Sequence, residues 1–436
     1  MSWRRLPVND KYVRRRLSLE FRSGIHGAQE LFRAVVNICV LIIVAEVAAS
    51  LNARLKLPRS LGPLVAGILF SPHLIGGIRI GDDPFIHYSE LVYVFSEMGA
   101  ILVLFEAGLH ITFGEILKSG RASFTVSAMG VAVTYMMGLG VSGLIGNGPF
   151  VGMIVGGALA ATSVAISVTS LGELGQLETP EAKMILAAAV IDDVLALSIA
   201  SLILSMLADP SPKSLFTAIR LLATTIIVWF LLSAASSRLV PRLTDFAAGL
   251  EKIDVKYHNF VEIFGLMLCF GYASISGLLG LSPLVGAFIA GMALSSSKYR
   301  EEVTEFTGTL GIIFIPLFFV IVGSNVNLYS IMTLNFVLVT LLALVAVVSK
   351  LLGCGLPASF FLKDPKKGLR VGYGMISRRE IALVIAGIGI TYGIINDEVY
   401  TALVVTTFIT MLLPPLLLRR SYLKDPTSVL PDSIRR

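Results

Sequence analysis

Residues 187–203 read AAAVIDDVLALSIASLI and set Asp192 and Asp193 side by side in an otherwise apolar run. Ionisable groups are costly away from water and persist there mainly where they handle charge. Neighbouring residues of a helix point about 100° apart, so the two carboxylates cannot close on one partner as an aspartic-protease dyad does. They must do different jobs. Withdrawal from water favours the protonated form of a carboxylate and a nearby cation opposes it, so a proton and a metal cation become competitors for one group.

Other residues join that chemistry. Lys350, in LLALVAVVSKLLGCGL, lies deepest of the lysines in an apolar span; it either pairs with Asp192 or snorkels to the interface. Glu106, in ILVLFEAGLH, demands a cation, and Arg378 is the natural candidate. Arg378 and Glu380 occur in GYGMISRREIALVIAGIGI, which is either a span interrupted at its middle or a helix end close to the interface. Thr162 and Ser163, in GGALAATSVAISVTSLGELG, are either small packing residues or oxygen donors suited to a hard cation such as sodium. His110 reads as an interfacial residue. Cys39, Cys269 and Cys354 fall in or beside apolar spans with no metal spacing, and no resident cofactor is expected.

The elements that position these groups are membrane spans. Of 436 residues, 55% are hydrophobic and 15% charged, and the mean hydropathy of +0.83 is beyond what a water-facing surface sustains. Runs of the roughly 20 apolar residues that a span needs are expected near 31–52, 60–77, 90–110, 122–145, 149–172, 184–208, 215–240, 258–275, 279–296, 305–327, 332–355, 369–393 and 398–419, about thirteen spans. The fold class is thus an all-α polytopic membrane protein. Residues 1–30 form a basic tail without a signal-peptide pattern, and 421–436 a short C-terminal tail. Lysine and arginine alternate by loop: Arg54, Arg59, Arg121, Lys183, Arg242, Lys298 and Lys366 fall on one side, and only Arg79 and Lys213 on the other. The positive-inside rule explains the net charge of +6 without nucleic acid, and it puts the C-terminus in the cytoplasm and, for an odd span count, the N-terminus outside. The basic tail resists that placement: either it is a helix on the membrane surface or the count is off by one.

An internal repeat orders the spans. LGPLVAGILF (61–70) resembles LSPLVGAFIAG (281–291) at an offset of 220, and LFEAGL (104–109) resembles FVIVGS (319–324) at 215. A seventh span between two six-span units inverts the second unit, an architecture that places ion sites at the middle of the membrane where a helix of each repeat is broken. The fifth and twelfth spans are the corresponding pair.

IDDV after a TSV span, a lysine late in the eleventh span, and SRREIALV together resemble the sodium/proton antiporters of bacteria and archaea in the cation/proton antiporter superfamily, over roughly residues 31–420. The resemblance implies two inverted six-helix repeats with crossed discontinuous helices. It also implies a homodimer in the cell membrane, with a moving core (about 90–208 and 305–419, in part) and a panel that holds the dimer contact (about 31–77 and 215–296, in part). By resemblance Asp193 would bind sodium, lithium or a proton, Asp192 would pair with Lys350 and release it when sodium arrives, Thr162 and Ser163 would flank the ion, and Glu380 would lie near Lys350. Paired aspartates with the lysine imply electrogenic exchange. Ser377 stands where proline is common and Arg379 where glycine is common.

Without a G-x-x-x-x-G-K-[ST] loop, energy must come from ion gradients. The other readings are a potassium/proton antiporter of the same superfamily, an organic-anion symporter on the same fold, an intramembrane aspartyl protease and a structural membrane protein. The protease needs carboxylates on separate helices, and a purely structural role would not keep so many buried charges.

Overall fold

The computed structural model describes residues 10–55, 57–81, 83–144, 148–208, 212–251, 259–279, 282–325, 335–378, 380–426 and 430–431. In chain order the helices are α1 (Asp10–Arg54), α2 (Leu61–Leu69), α3 (Glu90–Leu109), α4 (Phe113–Leu144), α5 (Pro149–Ala160), α6 (Val164–Glu173), α7 (Pro180–Ala208) and α8 (Pro212–Glu251). They continue as α9 (Phe260–Leu278), α10 (Pro283–Leu294), α11 (Arg300–Ser324), α12 (Phe336–Lys350), α13 (Leu356–Leu362), α14 (Pro365–Gly374), α15 (Glu380–Thr391) and α16 (Asp397–Leu423). One small antiparallel hairpin pairs Arg79–Ile80 with Asp83–Pro84.

Helix starts follow from local chemistry. Asp364 accepts hydrogen bonds from the Lys366 and Lys367 amides ahead of α14, and Ser282 and Asn335 do the same for α10 and α12. Proline opens α5, α7, α10 and α14, where its missing N–H costs nothing.

All thirteen expected spans carry helix, with differences at their ends. α1 runs unbroken for 45 residues, so the backbone of the basic tail from Asp10 onward continues the first span instead of forming a separate surface helix. α2 and α10, with 9 and 12 residues, are shorter than the spans expected there. They are the two members of the repeat that begin LGPLV and LSPLV, and each is crossed glycine on glycine by its neighbour. A Cβ on Gly67 would stand 2.9 Å from the Cα of Gly323 in α11, and one on Gly108 of α3 would stand 3.0 Å from the Cα of Gly291 in α10. Nine helical segments among the described residues are long and apolar enough to cross a membrane. Their outer faces are apolar too, with Leu144, Leu278 and Phe360 at least 80% exposed, because the solvent there is lipid.

The helices pack in two groups. α1, α2, α3, α9, α10 and α11 lie against one another, and α4, α5, α7, α12, α14, α15 and α16 form the second set, with α8 between α7 and α9. α3, grouped with the aspartate helix on sequence grounds, instead packs against α10 and α11.

Candidate ion-binding site

Two helices break at the same place. α5 ends at Ala160, the backbone runs extended through Ala161 and Ser163 (φ/ψ −61/128 and −99/119), and α6 resumes at Val164. α14 ends at Gly374 and α15 begins at Glu380. The breaks bond reciprocally: the Ser163 amide donates to the Ser377 carbonyl at 2.8 Å, and the Ser377 hydroxyl donates to the Ser163 carbonyl at 2.6 Å. Ser167 adds a bond from its hydroxyl to the Gly374 carbonyl. Ser163 and Ser377 are 214 residues apart, close to the repeat offset, so equivalent residues of the two repeats face each other. Thr162 is buried beside them.

Asp192 and Asp193 lie in the interior stretch of α7, 0% and 3% exposed. Lys350, the last residue of α12, is also fully buried; its Nζ stands 3.4 Å from Asp192 Oδ1 and donates to the Ala160 carbonyl at 3.0 Å. That carbonyl is at the end of α5, where the unsatisfied C=O groups carry partial negative charge. The lysine thus serves a half-helix end and a carboxylate together. An optimal charge-assisted bond is about 2.7–2.9 Å, so the backbone bond is the tighter of the two. Among the described residues, none donates a hydrogen bond to Asp192 Oδ2.

Immediately after Lys350, residues Leu351–Gly355 form one π-helical turn. Such bulges concentrate at functional sites. Here the turn meets α4 closely: a Cβ on Gly353 would stand 2.8 Å from the Gly130 Cα, and a Cβ on Gly130 would meet Cys354 Sγ at 2.3 Å and Lys350 Nζ at 3.7 Å.

Arg378, fully buried in the second break, donates from Nη2 to the Ala346 carbonyl at 2.8 Å, while its Nε and Nη1 have no hydrogen-bond partner among the described residues. The expected pair with Glu106 does not form. Glu106 instead lines a cavity of about 510 Å³ with Glu46, Arg59, Thr169, Glu173 and Pro316. The physical reason is the packing of α3, which lies against α10 and α11 and not against α14 or α15, the helices that flank Arg378. Arg379 and the Glu380 side chain lie outside the described residues, and so does any contact between Glu380 and Lys350.

The structure therefore links Asp192 through Lys350 to the end of α5, buries Thr162, Ser163 and Arg378 in the two breaks, buries Asp193 next to Asp192 on α7, and leaves Glu106 apart. Sequence reasoning missed the Ala160 and Ala346 carbonyls, which no side-chain pattern could reveal. It noted Ser377 in the twelfth span and as a departure from proline, without a partner; the 215-residue offset applied to Ser163 falls one residue beyond it. Among the described residues no three His, Cys, Asp or Glu groups converge. Oxygens, a buried carboxylate pair and a compensating lysine suit a weakly held, exchangeable monovalent cation.

Residues 40–419 match the family described as "Sodium/hydrogen exchanger, transmembrane". The chain is 30% identical to the Na(+)/H(+)-K(+) antiporter GerN of Bacillus cereus, over 90% of this chain and 97% of that protein. It is 33% identical to a Na(+)/H(+) antiporter of Enterococcus hirae, over 88% and 96%. Among solved structures it is similar in fold to the sodium proton antiporter MjNhaP1 from Methanocaldococcus jannaschii, with a TM-score of 0.61, 17% identity and coverage of 90% and 97%.

Proposed function

The chain belongs to the sodium/hydrogen exchanger family, and from that premise we propose that it exchanges sodium for protons, with Asp193 as the group that holds either one. The observation that carries this reading is the pair of buried carboxylates on α7, with Lys350 3.4 Å from Asp192 and bonded to the Ala160 carbonyl at the first break. A sodium ion arriving at Asp193 displaces the proton there and takes oxygens from Thr162, Ser163 and the extended backbone. Its charge also competes with Lys350 for Asp192, whose hold on the lysine is already long, and the lysine falls back on the Ala160 carbonyl.

Freed from Asp192, the Lys350 ammonium gives up its proton and stays bonded to the Ala160 carbonyl as the neutral amine. Two protons therefore leave for each sodium bound, one from Asp193 and one from Lys350, and the exchange is electrogenic, worth about 2.3 kcal/mol per net charge per 100 mV. The group containing α4, α5, α7, α12 and α14–α16 slides as an elevator against the group containing α1–α3 and α9–α11, which holds a second copy in a cell-membrane homodimer with cytoplasmic C-termini. Lithium follows sodium as a smaller ion of the same charge. Potassium is the second reading, favoured by the likeness to GerN, whose name includes it.

Purified protein in liposomes, loaded with a pH-sensitive dye and given sodium, lithium or potassium in turn, tests this. Sodium-driven proton flux is expected in the natural chain and a loss of at least tenfold in Asp193→Asn. Full flux in that variant overturns the site assignment, and flux with potassium alone overturns sodium as the cargo.

A further inference from the structure

Away from the breaks, α14 and α16 enclose a cavity of about 240 Å³ whose lining includes Lys366, Arg370, Arg420, Lys424 and the carboxylate of Asp425. The spacing comes from two helices facing each other: Lys366 and Arg370 are one turn apart on α14, and Arg420 and Lys424 are one turn apart at the end of α16. Arg370 is already engaged. It is buried, with Nη1 donating to Glu181 of α7 at 2.9 Å, Nη2 to Asp425, Nε to Ser421 at 3.2 Å, and its guanidinium 3.9 Å above the Tyr422 ring. It is the fixed floor. Lys366, Arg420 and Lys424 are exposed, and among the described residues none of the three has an ion-pair partner.

Three unmatched cations over a cavity whose fourth cation is neutralised make a site of strongly positive potential. Asp425 is spent on Arg370, so an anion entering meets little opposition. The cavity also has an apolar side: Leu369 and Leu417 line it, and Leu369, Leu416 and Leu423 are exposed apolar side chains on the same two helices. Both helix ends lie on the side where lysine and arginine concentrate, which the positive-inside rule makes cytoplasmic, and that leaflet is the one that holds anionic lipid.

We propose that this cavity binds a phosphate-bearing anion, its phosphate held by Lys366, Arg420 and Lys424. The chemistry is shared by the head group of an anionic phospholipid and by free phosphate. Arg370 joins α14, α16 and, through Glu181, the start of the aspartate helix α7, so an occupied cavity ties α16 to two helices of the ion site without touching the ion.

The test uses the whole protein in nanodiscs of phosphatidylcholine alone, of phosphatidylcholine with phosphatidylglycerol, and of phosphatidylcholine with inorganic phosphate added. Phosphatidylglycerol is expected to raise the melting temperature of the natural chain, and the triple variant K366Q/R420Q/K424Q to lose that rise while melting as before in phosphatidylcholine. Each cation removed singly should weaken the half-effect lipid concentration about fivefold. A rise produced by phosphate in phosphatidylcholine, absent in the triple variant, assigns the site to the free anion. A rise with lipid only assigns it to the head group. Retention of the full rise in the triple variant overturns the proposal. A photoactivatable phosphatidylglycerol on the unsubstituted protein gives an independent readout: labels within 366–373 and 417–425 support the head-group assignment, and labels elsewhere only, together with no phosphate-induced rise, overturn the proposal.

Discussion

Lys350 has two partners, and their distances rank them: 3.0 Å to the Ala160 carbonyl and 3.4 Å to Asp192. Removing one member of a buried ion pair strands the other charge at a cost of about 3–5 kcal/mol. Lys350→Met alone is therefore expected to lower the melting temperature in detergent sharply, and the double variant Lys350→Met/Asp192→Asn to recover most of the loss. Absence of recovery would show that the lysine is held chiefly by the end of α5. At this scale the charged residues were legible because a charge in an apolar span needs a reason, and the Asp192–Lys350 pair emerged from that alone. The Glu106–Arg378 pair did not, since complementary charge carries no information about which helices touch. Serine was the harder case: a bonded hydroxyl costs little in an apolar run, so residue type alone gave Ser377 no partner, and its 2.6 Å bond to the Ser163 carbonyl is a finding of the structure.

Helix α6 ends in Glu173, whose carboxylate accepts from the Arg59 amide at 2.9 Å and the Ser60 amide at 2.7 Å. Ser60 makes no side-chain cap of its own, so α2 is capped by a residue of another helix. A cap is worth about 1 kcal/mol, and this one joins a broken helix of the ion site to the α1–α3 group. If the two groups slide past each other, the bond must part on every cycle. Glu173→Ala is expected to raise maximal sodium-driven flux by up to about fivefold with the half-saturating sodium concentration unchanged; equal maximal flux would mean the bond does not gate the motion. The breaks themselves were only half legible. No glycine or proline interrupts Ala161–Ser163, and local propensity would carry a helix through it. The inverted repeat located the break, because it requires the fifth and twelfth spans to meet. Lengths were less accessible: α2 and α10 are bounded by how closely glycines let α11 and α3 approach, which is a tertiary fact.

Across the whole molecule, a cluster of charges gathers the ends of several helices on the lysine-rich side. Glu178, in the turn between α6 and α7, meets His110 at the end of α3, Lys183 of α7 and Arg300 of α11, and Lys183 also reaches Glu115 of α4. Burial pushes the Glu178 carboxyl up, but the bonds from His110, Arg300 and Lys183 outweigh it and bring it down from 4.5 to about 2. A depressed carboxyl contributes stability above its unfolded value and loses it as pH falls through the folded one, so this contribution fades between about pH 4.5 and 2. Half of the Glu178 side chain is exposed, which limits the effect to about 1 kcal/mol. Glu178→Gln should therefore melt slightly lower than the natural chain at pH 7, and the two melting curves in detergent should converge as pH falls from 4.5 toward 2; a constant gap would remove Glu178 from the acid response.

The distance along the chain between Asp192 and Lys350, 158 residues, has a consequence for biosynthesis. At about 5–20 residues per second, the ribosome completes the aspartate helix roughly 8–30 seconds before the lysine is made. Two aspartates at mid-helix cost about 2.5–3.5 kcal/mol each on the translocon scale, and during that interval only the alanines, leucines and isoleucines of α7 offset them. The first half of the transporter therefore enters the membrane charge-unbalanced, and its insertion is completed by the second.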